Sequence, residues 1–357
     1  MPKNTNHPQI QSAQIDLLER LTEACAVSGD EGAVRKIVLD QIKAYADEIT
    51  VDALGNVLAI KHGSGENRPR VMMAAHIDEV GFMLTYDDDE GLFRFDTVGG
   101  LDERQLAGKP VWVGDEHIPG VIGAKPIHLT KAKERNKVIS LDLLRIDVGS
   151  DNKSKVKVGD RAAFATKFLR SGGSIRAKAI DDRIGVATLI ELLKNAPLNI
   201  DLLAAFTVQE EVGLRGARVA AYALDPDVAF VLDSTPAYDL PTWDEEENVR
   251  YNTKLGKGPA IYIADRATLS DPRLIQHLKE TAKSEAIPYQ IRQPGGGGTD
   301  AGSIHRQRAG IPSVSVSVPA RYIHTAASIA RIEDWENSLA LLYAALSRSS
   351  ADMLANE

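Results

Sequence analysis

The chain of 357 residues has a single cysteine, Cys25. One thiol cannot close an intramolecular disulfide or build a cysteine zinc module, and a reducing compartment is expected. Basic residues are outnumbered, 42 against 50 acidic ones, for a net charge of −8. Nucleic-acid binders carry a basic footprint, so no nucleic-acid partner is expected. No apolar run approaches the ~20 residues of a membrane helix. The polar start, Met1–Pro8, lacks the apolar stretch of a signal peptide. These absences point to a cytoplasmic protein with no membrane partner. Three catalytic signatures are missing too: the G-x-S-x-G elbow, the Walker A loop and H-E-x-x-H. Against this stand 43% hydrophobic and 26% charged residues, the balance of an ordinary globular protein.

A chain this long is expected to hold about two domains at ~150 residues each. Ile10, Ala13, Leu17, Leu18, Leu21 and Ala24 recur at helical spacing, with Gly29 read as the stop. Val34, Ile37, Val38, Ile42 and Tyr45 mark a second helix. Gly55-Asn56 then breaks strand-like text as a hairpin turn, and Val71–Ala75 is the continuous apolar run of a strand buried on both faces. From Val80 to Gly173 short alternating runs, such as Arg161–Phe164, are punctuated by glycines and prolines, which predicts a β-rich module. Beyond it, strands at Leu202–Thr207, Val228–Leu232, Ile261–Ala264 and Val314–Val318 alternate with helices. Those helices are placed near Ile184–Leu193, Leu214–Ala223, Pro272–Ser284, Asp300–Gln307 and Glu333–Ser347. The expected architecture is an α/β domain from residues 1–79 and 174–357, with residues 80–173 inserted. Such an insertion costs the parent domain mainly a loop closure.

Acids and histidines fall where strands end. His76 follows Val71–Ala75, Asp181-Asp182 follow Ile175–Ile180, and Glu210-Glu211 follow Leu202–Gln209. Asp233 follows Val228–Leu232, and His324 comes a short loop after Val314–Val318. Singly, each has a plain alternative: a solvated glutamate pair, a rim histidine, a helix cap at Asp181-Asp182 or Asp233-Ser234. Together they end five strands, and open α/β sheets bind ligands outside the carboxyl ends of their strands. Three carboxylates and two imidazoles in one crevice repel one another without a cation; with one they suit Zn²⁺, Co²⁺ or Mn²⁺. Two ions, ~3.5–4 Å apart in hydrolytic sites, neutralise such a cluster better than one and call for a bridging carboxylate. A strand would send Glu210 and Glu211 to opposite faces. Gly213 signals a turn that brings both to the crevice, one as ligand and one as general base. The run Gly295–Gly298 reads as a flexible turn letting backbone approach a ligand. His7, His62, His117, His128, His277 and His305 read as structural, and Asp244–Glu247 as a solvated loop.

Five ordered motifs carry a resemblance that spans nearly the whole chain. They are His76-x-Asp78-Glu79-x-Gly81-Phe82, Ala179-Ile180-Asp181-Asp182-Arg183-x-Gly185, Gln209-Glu210-Glu211-Val212-Gly213-x-Arg215-Gly216-Ala217, Gly297-Gly298-Thr299-Asp300-Ala301 and Pro319-x-Arg321-Tyr322-Ile323-His324. In these the chain resembles the M42 metallopeptidases, TET-type aminopeptidases that are sometimes labelled glucanases. A glucanase reading is disfavoured because glycosidases place paired carboxylates around an acetal, not histidine-held metals. The resemblance implies a zinc-peptidase-like, three-layer αβα domain with a mostly parallel sheet, and an inserted β-barrel-like dimerisation domain. It implies two divalent ions per subunit, Zn²⁺ or Co²⁺ with Mn²⁺ also suited, and dimers assembling into a dodecamer. His76 and Asp233 would hold one ion, Glu211 and His324 the other, with Asp181 bridging. Glu210 would be the catalytic base and Asp78 would orient His76. The family often continues past its last histidine with Ser-Pro-x-Glu, where this chain has Thr325-Ala326-Ala327-Ser328. The expected activity is release of N-terminal amino acids from peptides with a free amino terminus. The alternatives are a related amidohydrolase, acting on N-acyl amino acids or carboxy-terminal bonds, and a non-catalytic assembly protein.

Overall fold

The computed structural model describes residues 7–240 and 253–354. Strand Arg70–His76 shows how the sequence dictates the layers. Val71, Met73 and Ala75 enter one apolar core, while Met72 and Ala74 enter another on the opposite face. A strand hidden on both faces needs helices on both sides. Helices Ser12–Glu23, Gly32–Ile42, Ile180–Lys194 and Ile332–Ser347 line the first core. Helices Arg215–Leu224 and Ala301–Ile304 line the second. The three-layer α/β fold expected from the sequence follows.

Among the described residues the large sheet has 11 strands. At its centre Asp201–Thr207, Arg70–His76, Val228–Pro236 and Ser313–Arg321 lie side by side and parallel. Ser328–Arg331 runs antiparallel to the last of these, and Ser174–Ala177 antiparallel to it in turn. Two reversals point Ser174–Ala177 the same way as the central four. The chain leaving it therefore starts at the carboxyl edge of the sheet, where helix Ile180–Lys194 begins.

Between Gly81 and Phe164 six antiparallel strands close into a barrel. Its core is apolar: Phe82 meets Phe95 and Phe164 edge-on, with ring centroids 5.2 Å apart in each pair. Gly81 marks a tight junction, because a Cβ there would lie 2.5 Å from Val27 and 2.7 Å from the Ala162 carbonyl.

The structure revises several local expectations. Strand Leu169–Ser171, inside the expected insertion, hydrogen-bonds to Ser174–Ala177 in the large sheet. Gly172-Gly173 is thus a hairpin turn of the main sheet. The first helix ends at Glu23, where Ala24 turns extended (ψ 131°), well before Gly29. Of Asp300–Gln307 only Ala301–Ile304 is α-helical. The acidic run Asp244–Glu247 lies outside the described residues. Among those described, no helix is long and apolar enough to cross a membrane.

Candidate metal centre

Four neighbouring strands deliver five of the side chains, and all but one of these are expected metal ligands. His76 is the last residue of its strand and pairs in register with Thr207, after which the adjacent chain turns to Glu210 and Glu211. Asp233 lies within Val228–Pro236, which runs further than its apolar text suggested, and His324 stands three residues past Ser313–Arg321. Asp181 arrives from the side, at the non-helical start of Ile180–Lys194. All of these positions reach the same edge.

The geometry centres on Asp181. Its Oδ1 lies 3.2 Å from His76 Nε2, and its Oδ2 lies 3.6 Å from His324 Nε2. His324 Nε2 is also 3.3 Å from Glu211 Oε2, and His76 Nε2 is 4.0 Å from Asp233 Oδ1. One carboxylate thus faces two imidazoles with different oxygens, and each imidazole faces a second carboxylate. Ligand atoms of His76, Asp181 and Glu211 lie within 4.8 Å of one another, as do those of Asp181, Asp182 and Asp233.

The turn inferred at Gly213 is present. Gln209 and Leu214 take positive φ, Gly213 has φ 120°, and Glu210 and Glu211 both line the cleft. Asp78, fully buried, holds that turn: its carboxylate accepts the N–H groups of Glu210 (3.0 Å) and Glu211 (3.2 Å) and the Ser28 hydroxyl (2.6 Å). Toward His76 the nearer contact is the Asp78 backbone carbonyl, 3.2 Å from Nδ1, with carboxylate Oδ1 at 3.5 Å. Asp78 therefore braces the glutamates as well as the imidazole.

Electrostatics shows what the donor set demands. Burial alone would empty the His76 imidazole of its extra proton, but Asp181 and Asp78 hold its pKa well above the usual value. Burial likewise opposes the Asp181 charge, yet His324 and His76 keep that carboxyl far below the ordinary range. Glu211 is pushed up to about 7 by burial, with Asp181 adding to the rise. Glu210 and Asp233 are raised well above normal, chiefly by burial and then by neighbouring acids. His324, with 37% of its side chain exposed, is raised to about 9: burial opposes the rise, while Glu211 and Asp181 drive it. These carboxylates resist ionising side by side, and a divalent cation relieves that repulsion without protons. Nitrogen and carboxylate donors at these spacings could hold a divalent cation.

Several partners had no signal in the sequence. The Gly100 carbonyl, two residues past the barrel strand Leu92–Val98, accepts from His324 Nδ1 at 2.8 Å and leaves Nε2 facing the cluster. Asp182, beside Asp181, accepts the Gly185 N–H at 3.1 Å, so the capping alternative holds for Asp182, while its Oδ2 has no partner. The cleft, about 690 Å³, continues away from the cluster along Tyr262, Arg266, Arg292, Arg306 and the glycines Gly296–Gly298.

The family profile described as M42 glutamyl aminopeptidase matches residues 55–341. The chain is 34% identical over 345 residues to the lysyl aminopeptidase of Pyrococcus furiosus, covering 93% of this chain and 96% of that one. It superposes with TM-score 0.90 and 36% identity on the TET aminopeptidase of Thaumarchaeota archaeon SCGC AB-539-E09, covering 96% and 98% of the two chains. A TM-score of 0.83 with 34% identity relates it to the Pyrococcus horikoshii TET1 peptidase, which can assemble into a tetrahedron or a large octahedral shell (94% and 100% covered).

Proposed function

From the premise that this chain belongs to the M42 peptidase family, we propose a dinuclear aminopeptidase that frees N-terminal amino acids from peptides. The single observation that carries the two-ion reading is Asp181, whose two oxygens face two different imidazoles. His76 and Asp233 would hold one ion and Glu211 and His324 the other, with Asp181 the carboxylate that would serve both. Zn²⁺ or Co²⁺, with Mn²⁺ as a further candidate, fits the donors. When bound, the ions supply Lewis acidity, lowering the pKa of water toward ~7 and polarising the scissile carbonyl.

The chain's residues do the rest. Glu210, buried and lining the cleft beside the cluster, is placed to accept a proton from the attacking water. It then returns that proton to the leaving amine. Asp78 holds the Glu210 backbone so that its carboxylate stays over the cleft. The substrate's free α-amine seats among the acidic groups of the cluster, which limits cleavage to the first residue. Likeness to a TET1 peptidase that builds closed shells supports self-association, with dimers formed through the barrel insertion and a dodecamer above them.

A panel of aminoacyl chromogenic substrates, each with and without an N-acetyl group, tests the reading. Free-amine substrates turn over in the presence of Zn²⁺, Co²⁺ or Mn²⁺, and acetylated ones resist. Preference for the acetylated series would instead identify a deacylase.

A further inference from the structure

Behind the cluster lies a second set of buried charges that the proposed chemistry does not use. Glu79, Lys178 and Arg183 are each no more than 2% exposed. Lys178 Nζ lies 2.7 and 2.8 Å from the two oxygens of Glu79, and Arg183 Nη2 lies 3.3 Å from Oε1. The same Oε1 accepts the Ala26 N–H at 3.0 Å, while Lys178 and Arg183 donate to the carbonyls of Ala24 and Leu21. Two cations and one anion are thus sealed in the interior. Desolvating three charges is expensive, so a contribution to stability alone is a weak reason for such a set.

Its position supplies a better reason. Glu79 sits three residues after His76 and one after Asp78, at the entry to the barrel. Lys178 and Arg183 bracket Asp181-Asp182. The bridge therefore joins the chain segment carrying one imidazole to the segment carrying the carboxylate that faces both imidazoles. We propose that Glu79, Lys178 and Arg183 form a positioning triad that fixes Asp181 relative to His76 and so sets the spacing of the two metal positions. None of the three lines the cleft that holds the cluster. The proposal rests on the ligand reading above.

Lys178→Met is the informative variant, because Glu79 keeps Arg183 as its partner and no buried carboxylate is left unpaired. The metal-free protein is titrated with Co²⁺, reading affinity by calorimetry and coordination by the visible absorption of the ion. Wild type should bind two equivalents; if it binds none, the ligand reading itself fails. Lys178→Met should weaken binding about 10–100-fold, the range for groups that orient metal ligands, and alter the Co²⁺ spectrum. Lys178→Arg, which keeps the cation, should restore most of both. Wild-type affinity and spectrum in Lys178→Met would overturn the proposal. So would losses equal in the Met and Arg variants that merely track their melting temperatures.

Discussion

The barrel and the carboxyl edge of the large sheet bury side chains on opposite terms. Inside the barrel Phe82, Phe93, Phe95 and Phe164 pack with aliphatic neighbours, and no charged residue between Gly81 and Phe164 is buried. At the sheet edge His76, Asp78, Asp181, Asp182, Glu210 and Asp233 are at most 9% exposed. Apolar burial in the barrel is favourable in itself. Burying several carboxylates becomes tolerable only with partners, protons or cations. The difference separates the region that stabilises the fold from the region that carries its chemistry, and substitutions should divide the same way.

The largest effect belongs to the sheet edge. Glu210→Gln should lower kcat by ~10²–10⁴-fold, the usual contribution of a general base, while leaving the fold and metal uptake intact. Steady-state kinetics beside metal analysis checks this, and near-full activity would remove Glu210 from its role. Phe82→Ala should do the reverse. Loss of a buried phenylalanine costs ~3–5 kcal/mol in denaturant unfolding, with activity per folded molecule unchanged.

A smaller effect is the pH dependence of the metal-free protein. Glu211 keeps its proton to about pH 7 in the folded state, against a reference value of 4.5. His324 keeps its own to about 9, against 6.5, and its partial exposure makes that share the weaker. The folded state binds more protons across this window, so stability should fall as pH rises from about 4.5 to about 9. Metal takes the place of those protons, so thermal melts with Zn²⁺ or Co²⁺ should show a higher Tm and a flatter pH profile. Equal pH profiles with and without metal would blur the contrast between the regions. Least of all should matter the barrel surface, where Arg94 and Asp88 pair at 3.0 Å. Arg94→Ala should leave the denaturant midpoint and turnover essentially unaltered.

The layers and the candidate centre were legible because both rest on local pattern. A continuous apolar run followed by His76, or a strand followed by Glu210-Glu211 and a turn at Gly213, can be read without knowing what lies beside it. What escaped depends on distant chain. Gly100 contributes only a backbone carbonyl to His324, 224 residues away, and a carbonyl leaves no mark in the residue type. Ser28 meets Asp78 across 50 residues, and nothing near it suggests a site. Glu79 was visible as part of a motif, but its two cations lie some hundred residues further on. Strand Leu169–Ser171 falls within residues 80–173, and its short polar text carries no mark of its partner. Its pairing with Ser174–Ala177 decides otherwise.

The central claim is that one carboxylate joins two cations at this edge. Anomalous diffraction from crystals of the metal-loaded protein, collected at the absorption edge of the bound ion, addresses it directly. The account predicts two peaks ~3.5–4 Å apart, one on each side of the Asp181 carboxylate. His76 and Asp233 should border one peak, Glu211 and His324 the other. A single peak with full occupancy, or peaks away from Asp181, would contradict it.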